Sequence, residues 1–278
     1  MSDLDFRQED VFTDGRVRIR RQRTDLPFSP ENTVCIETGF QTVARLSASF
    51  ASAMRKEAEL ATKHPFAWNP EFGYVTADTR MCGTGLEISA TFHLEGLHLI
   101  GDLEPALNAL NALRLSARGC SRDGLRNAAH IFRIANAAHL GIDERELVAR
   151  VGRAFADVVR QEMNARIRLV EELPLVFEDA VARSLAVLRS CRLLSDWELM
   201  DIVSPLCLAA NLGFLDNLSR DEARKMMFAR ANAPQGTEAP LTYEEQRERD
   251  RKDAALADRA NRRFKGVRLN AFAKDCLS

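Results

Sequence analysis

Apolar and polar residues alternate in one stretch near the middle of the chain. From Leu86 to Leu94 every second residue is apolar and the residues between them are polar, which is typical of a strand with one buried face. A short strand is also predicted at 113–117. The segment 103–110 between the two has helical spacing, with Pro105 in its first turn, where proline is tolerated. These patterns predict an antiparallel sheet with helices against it.

Apolar residues recur every three or four positions in much of the remaining chain, which indicates helices. One such stretch follows Asp143, a residue type that commonly caps a helix N-terminus. Further helices are predicted at 40–61, 175–192, 196–211, 219–229 and, after a linker at 232–240, at 243–264. Residues 1–30 are expected to contain little regular structure. The predicted fold class is α+β: an antiparallel β-sheet flanked by helices and followed by a helical C-terminal domain.

Composition limits the classes of function. The 278 residues are 46% hydrophobic and 28% charged, and a formal net charge of −1 gives no overall attraction to nucleic acid or anionic lipid. No segment has the roughly 20 apolar residues that cross a bilayer, and the polar N-terminus is unlike a signal peptide. We therefore expect a cytoplasmic protein with no nucleic-acid or membrane partner. The six cysteines form no C-x-x-C pair, and His93 and His98 would point to opposite faces of a strand, so no metal site is predicted.

A family resemblance rests on the segment 68–94, WNPEFGYVTADTRMCGTGLEISATFHL. Its N-x-x-x-G-Y, G-T-G-L and H-L motifs resemble the signature of phosphagen kinases and bacterial protein-arginine kinases. GRVRIRRQRTDLPF at 15–28 resembles an early segment of the same family. The segments 177–195 and 211–219 resemble the helical C-terminal domain of protein-arginine kinases, which creatine and arginine phosphagen kinases lack. The resemblance implies a shortened, divergent member with a catalytic domain at 1–170 and a C-terminal domain at 171–278.

The resemblance implies ATP with Mg²⁺ as the cofactor. It places Arg16, Arg18 and Arg118 at positions where the family holds phosphate. Alternating arginines on a strand point the same way, so two of them can meet one anion. The alternative is an ordinary solvated basic segment, because Arg20, Arg21 and Arg23 lie beside them.

The same resemblance shows departures at catalytic positions. Asp78 stands where the family has its reactive cysteine, and Glu87 stands where G-T-G-L-R has a phosphate-binding arginine. Asp123 stands near the place of one catalytic glutamate, and the segment 29–39 is too short to hold the acidic motif that supplies the other. Asp78 and Asp123 are therefore the candidate catalytic residues of a degraded phosphotransfer site.

The charged tail resembles a phosphoarginine-recognition motif, R-D-x-x-R-A. Here the sequence is RDRKDA at 249–254, so Arg249 and Asp250 match while Asp253 replaces the second arginine. The alternative is a solvated helix, because nine of the ten residues from 244 to 253 are charged.

Two functions follow as expectations. The first is a protein-arginine-kinase-like pseudokinase or scaffold whose partner is a client protein or an arginine-phosphorylated protein. The second is an active protein-arginine kinase with rearranged catalytic residues. A homodimer is expected through the apolar helix at 196–211, although burial within one chain explains the same pattern.

Overall fold

A five-stranded antiparallel sheet forms the centre of the N-terminal part. The computed structural model describes residues 10–119, 127–137, 139–228 and 242–270. The strands are β1 (Phe12–Gln22), β2 (Thr33–Phe40), β3 (Trp68–Asn69), β4 (Gly73–Tyr74), β5 (Leu86–His93), β6 (Leu115–Gly119), β7 (Ile131–Asn136), β8 (Leu215–Asp216) and β9 (Arg268–Leu269). The helices are α1 (Leu46–Ala61), α2 (Glu95–Leu99), α3 (Leu103–Ala112), α4 (Glu144–Glu171), α5 (Pro174–Ser190), α6 (Asp196–Asn211), α7 (Arg220–Phe228) and α8 (Tyr243–Phe264).

The five strands lie in the order β2-β1-β5-β7-β6, and all neighbours are antiparallel. Because successive side chains alternate across the pleat, the sheet has one apolar and one polar face. The apolar face packs on α1, α3 and α4. The register places Arg18 opposite both Glu37 and Glu87, and Arg118 opposite Arg133. The polar face therefore carries a row of arginines with carboxylates between them.

Two expectations for the first forty-five residues are wrong. Residues 12–22 form the longest of the described strands, and residues 33–40 form β2 beside it, so the helix begins at Leu46 and not at residue 40. The cause lies in the alternation of β1, where Val17 and Ile19 are fully buried while Arg16 and Arg18 face outward. A strand that has arginine at several outward positions resembles a basic segment when only its charge is considered.

The other predicted elements are confirmed. β5, α3, β6, α4 and the helices α5 to α8 lie within a few residues of their expected bounds. Asp143 caps α4, because its Oδ1 accepts a hydrogen bond from the Glu146 backbone at 2.8 Å. His98 is the exception: it lies in α2, since the strand ends at His93. The linker at 232–240 falls outside the described residues.

Two apolar clusters hold the described chain together. One lies against the sheet and includes Ile88, Phe92 and Phe155, and the other joins α5, α6, α7 and α8 and includes Phe177 and Met200. The long helix α4 contributes to both clusters, so a division of the chain at residue 170 stays a prediction. Helix α6 is buried along most of its length in the second cluster. Within the described ranges, no helix combines the length and the apolar character that a membrane crossing requires.

Candidate functional site

A cavity of about 530 Å³ opens on the polar face of the sheet. Strands β1, β5, β6 and β7 supply its floor, and the segment 78–81 forms one side. Its described lining carries five arginines and two carboxylates, so positive charge is in excess. These residues are Arg18, Arg20, Arg80, Arg118, Arg133, Asp78 and Glu87. A cavity with this lining can hold an anion.

Glu87 lies among the arginines of the cavity floor. Its Oε1 accepts a hydrogen bond from Arg133 Nη2 at 2.8 Å and lies 3.7 Å from Arg18 Nη1. Its Oε2 lies 3.5 Å from Arg20 Nη2. Only 18% of the Glu87 side chain is exposed, so solvent screens these ion pairs only in part. One carboxylate therefore occupies three of the five cations.

Arg16 and Arg18 are held at the outer edge of the sheet by Glu37. Arg18 Nε donates to Glu37 Oε2 at 2.5 Å, and Arg16 Nη1 lies 3.3 Å from Oε1 of the same carboxylate. The hydrogen bond from Arg18 lowers the pKa of Glu37. Arg16 also pairs with Asp14 at 3.4 Å. Arg18 lines the cavity, whereas Arg16 lies beside it.

Arg118 lines the cavity from the opposite edge strand, β6. It is exposed, and it makes no ion pair with any residue of the described ranges. Residues 120–126 lie outside the residues that the structure describes. Asp123, the other catalytic candidate, therefore lies outside the described residues. The cavity brings Arg18, Arg118 and Asp78 together.

Asp78 is in the cavity but is fully engaged by Arg80. Its Oδ1 accepts from the Arg80 backbone at 3.1 Å and from Arg80 Nε at 3.0 Å, and its Oδ2 accepts from Nη2 at 3.0 Å. The side-chain hydrogen bond from Arg80 lowers the pKa of Asp78. A carboxylate that is paired and acidified in this way is a poor proton acceptor at neutral pH.

Three site residues escaped the sequence analysis: Arg20, Arg80 and Arg133. Arg20 continues the alternation of Arg16 and Arg18 along β1, and Arg133 is the polar residue between Phe132 and Ile134 on β7. Period-two alternation could have identified both once the strands were placed. Arg80 lies in a short 3-10 helix next to Asp78, and its role depends on the loop conformation.

The view of 20–23 as a solvated basic segment is wrong for Arg21. This side chain is fully buried on the other face of β1, where its Nε donates to Glu57 Oε1 at 2.9 Å and its Nη1 donates to the Thr84 carbonyl at 2.8 Å. Its guanidinium also stacks on the Tyr74 ring, with Cζ 3.4 Å from the ring centroid. Arg21 is therefore a structural residue, whereas Arg20 belongs to the cavity.

The tail residues lie on α8 and do not line the cavity. Arg249 Nε is 3.9 Å from Asp253 Oδ2, and Gln246 Nε2 donates to Asp250 Oδ1 at 2.7 Å. Burial raises the pKa of Asp253. Within the described residues, no three His, Cys, Asp or Glu side chains come together as a metal-binding group.

Two protein-family models match the chain. Residues 32–165 match the model of the ATP:guanido phosphotransferase, C-terminal catalytic domain, and residues 174–268 match that of the protein-arginine kinase McsB C-terminal domain. The chain belongs to the ATP:guanido phosphotransferase superfamily. Within it, the second match indicates the protein-arginine kinase branch, because that C-terminal domain is named for these enzymes.

Individual relatives agree with this placement. The protein-arginine kinase of Listeria welshimeri is 30% identical over 184 residues, which are 66% of this chain and 54% of the relative. That of Bacillus subtilis is 30% identical over 194 residues, 70% of this chain and 52% of the relative. The chain spans about half the length of the curated relatives that it matches. Among solved structures, the duplicated taurocyamine kinase of Schistosoma mansoni matches with 12% identity and a TM-score of 0.46, over 61% of this chain and 36% of that one.

Proposed function

We propose that this member of the superfamily is a pseudokinase: a protein-arginine-kinase-like binding or scaffolding protein whose phosphotransfer site is degraded. The observation that carries the proposal is Glu87, a carboxylate in the middle of the arginine floor of the cavity. Phosphoryl transfer depends on cations that offset the charge of the triphosphate and of the transition state. Glu87 opposes that charge and occupies the cations that would supply it.

The expected electrostatic effect of Glu87 on nucleotide binding is large. Two like charges about 4 Å apart repel by about 4 kcal/mol at an effective dielectric constant near 20. A phosphate that contacts Arg133 or Arg20 would lie close to Glu87, because the same guanidinium groups contact both. The expected consequence is that Mg–ATP binds weakly, since each 1.4 kcal/mol corresponds to about a factor of ten in affinity.

Proton acceptance supports the same proposal. A guanidinium must be oriented and deprotonated before it attacks the γ-phosphate, and carboxylates do this work. Of the two carboxylates in the described lining, Asp78 is paired with Arg80 and Glu87 is paired with three arginines. Neither is available as a base. Asp123 is the remaining candidate.

A second candidate function is an active protein-arginine kinase with rearranged groups. It is favoured by Arg118, which makes no ion pair within the described ranges, and by the excess of arginine around the cavity. Arg18, Arg20, Arg118 and Arg133 would hold the phosphates of Mg–ATP. The nucleotide would supply the phosphoryl group.

The proposal also includes the binding of a client protein at helix α8. We assign Arg249 and Asp250 to contact with an arginine-phosphorylated client, because Arg249 is exposed and its pair with Asp253 is long and therefore weak. A phosphate with two negative charges would compete for Arg249 against this single carboxylate. Self-association as a homodimer remains part of the proposal.

Calorimetric titration with Mg–ATP tests the claim about Glu87. We expect binding by the wild type to be no tighter than millimolar and binding by Glu87→Gln to be about tenfold tighter or more, because the substitution removes the repulsion and releases three arginines. Asp14→Asn is the matched control: it removes one negative charge from the same face of the sheet, outside the cavity. Tight wild-type binding that Glu87→Gln leaves unchanged would contradict the proposal and favour the active kinase.

A further inference from the structure

A small cavity of about 100 Å³ lies where helices α6 and α7 meet the end of the sheet. We call it the α6–α7 cavity. Its lining comes from residues at the start of β1, from His93 at the end of β5, and from one side of each of the two helices. It shares no lining residue with the cavity on the polar face of the sheet. Its volume is well below the roughly 300 Å³ at which pockets for drug-sized ligands begin, so only a small molecule would fit.

A β-bulge in β1 forms one wall of the α6–α7 cavity. Phe12 pairs with Phe92 and Asp14 pairs with Thr91, which leaves Thr13 as an extra residue without a pairing partner on β5. The Thr13 carbonyl accepts a hydrogen bond from Arg224 Nη2 at 3.0 Å. The bulge therefore connects the sheet to α7 at the cavity and holds the Arg224 guanidinium in place.

One lining residue, His93, has a buried hydrogen-bond acceptor that no described residue satisfies. His93 is 1% exposed, and its Nδ1 atom has no hydrogen-bond partner. Its Nε2 lies 2.8 Å from Ser204 Oγ, and the single hydroxyl proton of Ser204 is donated to Glu95 Oε2 at 2.5 Å. Nε2 must therefore carry the ring proton of His93. Because burial lowers the pKa of His93 to about 3, the ring is neutral, and Nδ1 is an acceptor that lacks an N–H or O–H donor.

Asn211 is a second buried polar side chain in the lining. It is 4% exposed, and its side-chain amide makes no hydrogen bond with any residue in the described ranges. Buried polar groups are nearly always hydrogen-bonded, because an unsatisfied one costs free energy. An acceptor on His93 and an amide on Asn211 therefore border the same cavity without partners from the described protein. Together they indicate a polar ligand that carries both a donor and an acceptor.

Two arginines of α7 give the cavity its affinity for an anion. Arg220 and Arg224 both line it, and a guanidinium has five N–H donors in a planar fork that matches a carboxylate. Arg220 Nη1 lies 3.5 Å from Asp10 Oδ2, which is a long contact. Asp10 and Asp221 in the same lining balance the charge of the two arginines. A ligand with one negative charge is therefore favoured over a phosphate dianion.

We propose that the α6–α7 cavity binds a small α-hydroxy carboxylate of the size of glycolate or lactate. The carboxylate pairs with Arg220 and Arg224. The hydroxyl donates to His93 Nδ1 and accepts from the Asn211 amide, so both buried groups gain a partner. An α-amino acid fits less well, because its ammonium group brings a second charge that is costly to bury. This site does not depend on phosphotransfer or on nucleotide binding in the cavity on the polar face of the sheet.

Calorimetric titration of the full chain with glycolate tests the proposal. The matched probe is fluoroacetate, in which fluorine replaces the hydroxyl, so that the size and charge are kept and the donor is lost. We expect fluoroacetate to bind about tenfold more weakly or worse, because it leaves His93 Nδ1 unsatisfied. Inorganic phosphate and glycine should also bind more weakly than glycolate, the first because of its second negative charge and the second because of its ammonium group.

Variants locate the binding on the protein. Asn211→Leu and Arg220→Gln should each raise the Kd of glycolate by about fivefold or more, since the first removes the amide and the second removes a cation. Lys225→Gln is the matched control and should leave the Kd unchanged, because it removes a positive charge from an exposed position of α7 outside the lining. Urea unfolding verifies that each variant is folded.

Three results would overturn the proposal. The first is no binding of glycolate by the wild type at about 10 mM, and the second is equal binding of glycolate and fluoroacetate. The third is binding that neither Asn211→Leu nor Arg220→Gln weakens, which would place glycolate elsewhere on the protein. Tighter binding of phosphate or glycine than of glycolate would likewise contradict the assignment of an α-hydroxy carboxylate.

Discussion

Neighbouring arginines of β1 have opposite roles because the pleat sends them to opposite faces of the sheet. Arg20 faces the cavity and pairs with Glu87 at 3.5 Å. Arg21 is fully buried, pairs with Glu57 and stacks on Tyr74. The number of basic residues in the segment does not distinguish Arg20 from Arg21. Their burial does, because Arg20 faces the cavity and Arg21 is a buried structural residue.

We expect Arg20 and Arg21 to contribute differently to stability. Arg21→Ala should lower the free energy of unfolding by about 3–5 kcal/mol, because it leaves the buried Glu57 carboxylate without its cation. Arg20→Ala should change it by about 1 kcal/mol or less, since this pair is partly exposed. Urea unfolding of both variants measures the difference. Equal losses would contradict the assignment of Arg21 as structural.

Helix α4 is joined to α2 by a buried carboxylate, Glu162, which also forms an ion pair within α4. Glu162 is fully buried, and its Oε1 accepts from Arg166 Nε at 2.7 Å and from the Gly96 backbone at 2.8 Å. Its Oε2 accepts from the Leu97 backbone at 2.9 Å. Burial raises the pKa of this carboxyl even though Arg166 opposes the shift. One side chain therefore joins α4 to the first turn of α2.

We expect the buried pair of Glu162 and Arg166 to contribute to the stability of the fold. Glu162→Gln should destabilise the fold by about 3 kcal/mol, because it leaves the buried Arg166 guanidinium uncompensated. Glu171→Gln, an exposed position on the same helix, serves as the control and should change stability by about 0.5 kcal/mol or less. Thermal or urea unfolding gives both values. A loss no larger than that of the control would show that the pair contributes nothing.

Sequence patterns predicted the elements whose stability comes from an apolar stripe. Helices α4 to α7 and strand β5 could be placed in this way because burial of one face dictates their spacing, whereas α8 was predicted as a highly charged helix after a linker. Strand β2 could not, since it depends on pairing with β1, which no local pattern encodes. The cavity, too, could be predicted only in part. Arg18 and Arg118 were found from the family resemblance. The contacts of Glu87 with Arg20 and Arg133 could not be predicted, because they depend on the register of the strands.

At the scale of the whole molecule, a buried polar network connects the sheet with α6. His93 Nε2 lies 2.8 Å from Ser204 Oγ, which donates to Glu95 Oε2 at 2.5 Å. His130 Nδ1 lies 2.6 Å from the same carboxylate oxygen. Burial, assisted by the positive charge of Arg166, lowers the pKa of His93 to about 3. His93 is therefore neutral in the folded protein at neutral pH.

The lowered pKa of His93 should make the stability of the protein depend on pH. The unfolded chain takes up a proton at His93 below about pH 6.5, whereas the folded chain does so only near 3, so the unfolded state binds more protons in between. Stability should therefore fall as the pH falls through this window. Between about pH 7.5 and pH 5.5, the wild type should lose about 1.4 kcal/mol more than His93→Gln in urea unfolding. Parallel losses in the two proteins would contradict this role of His93.

A phosphotransfer assay on the purified wild type tests most directly whether the protein is a pseudokinase. The protein is incubated with Mg²⁺, radiolabelled ATP and an arginine-rich protein, and acid-labile phosphoarginine is measured. The pseudokinase account predicts no more label than Arg118→Ala produces, because Glu87 opposes the nucleotide and Asp78 is paired with Arg80. Phosphoarginine that the wild type forms and Asp123→Ala abolishes would contradict the account and show an active kinase.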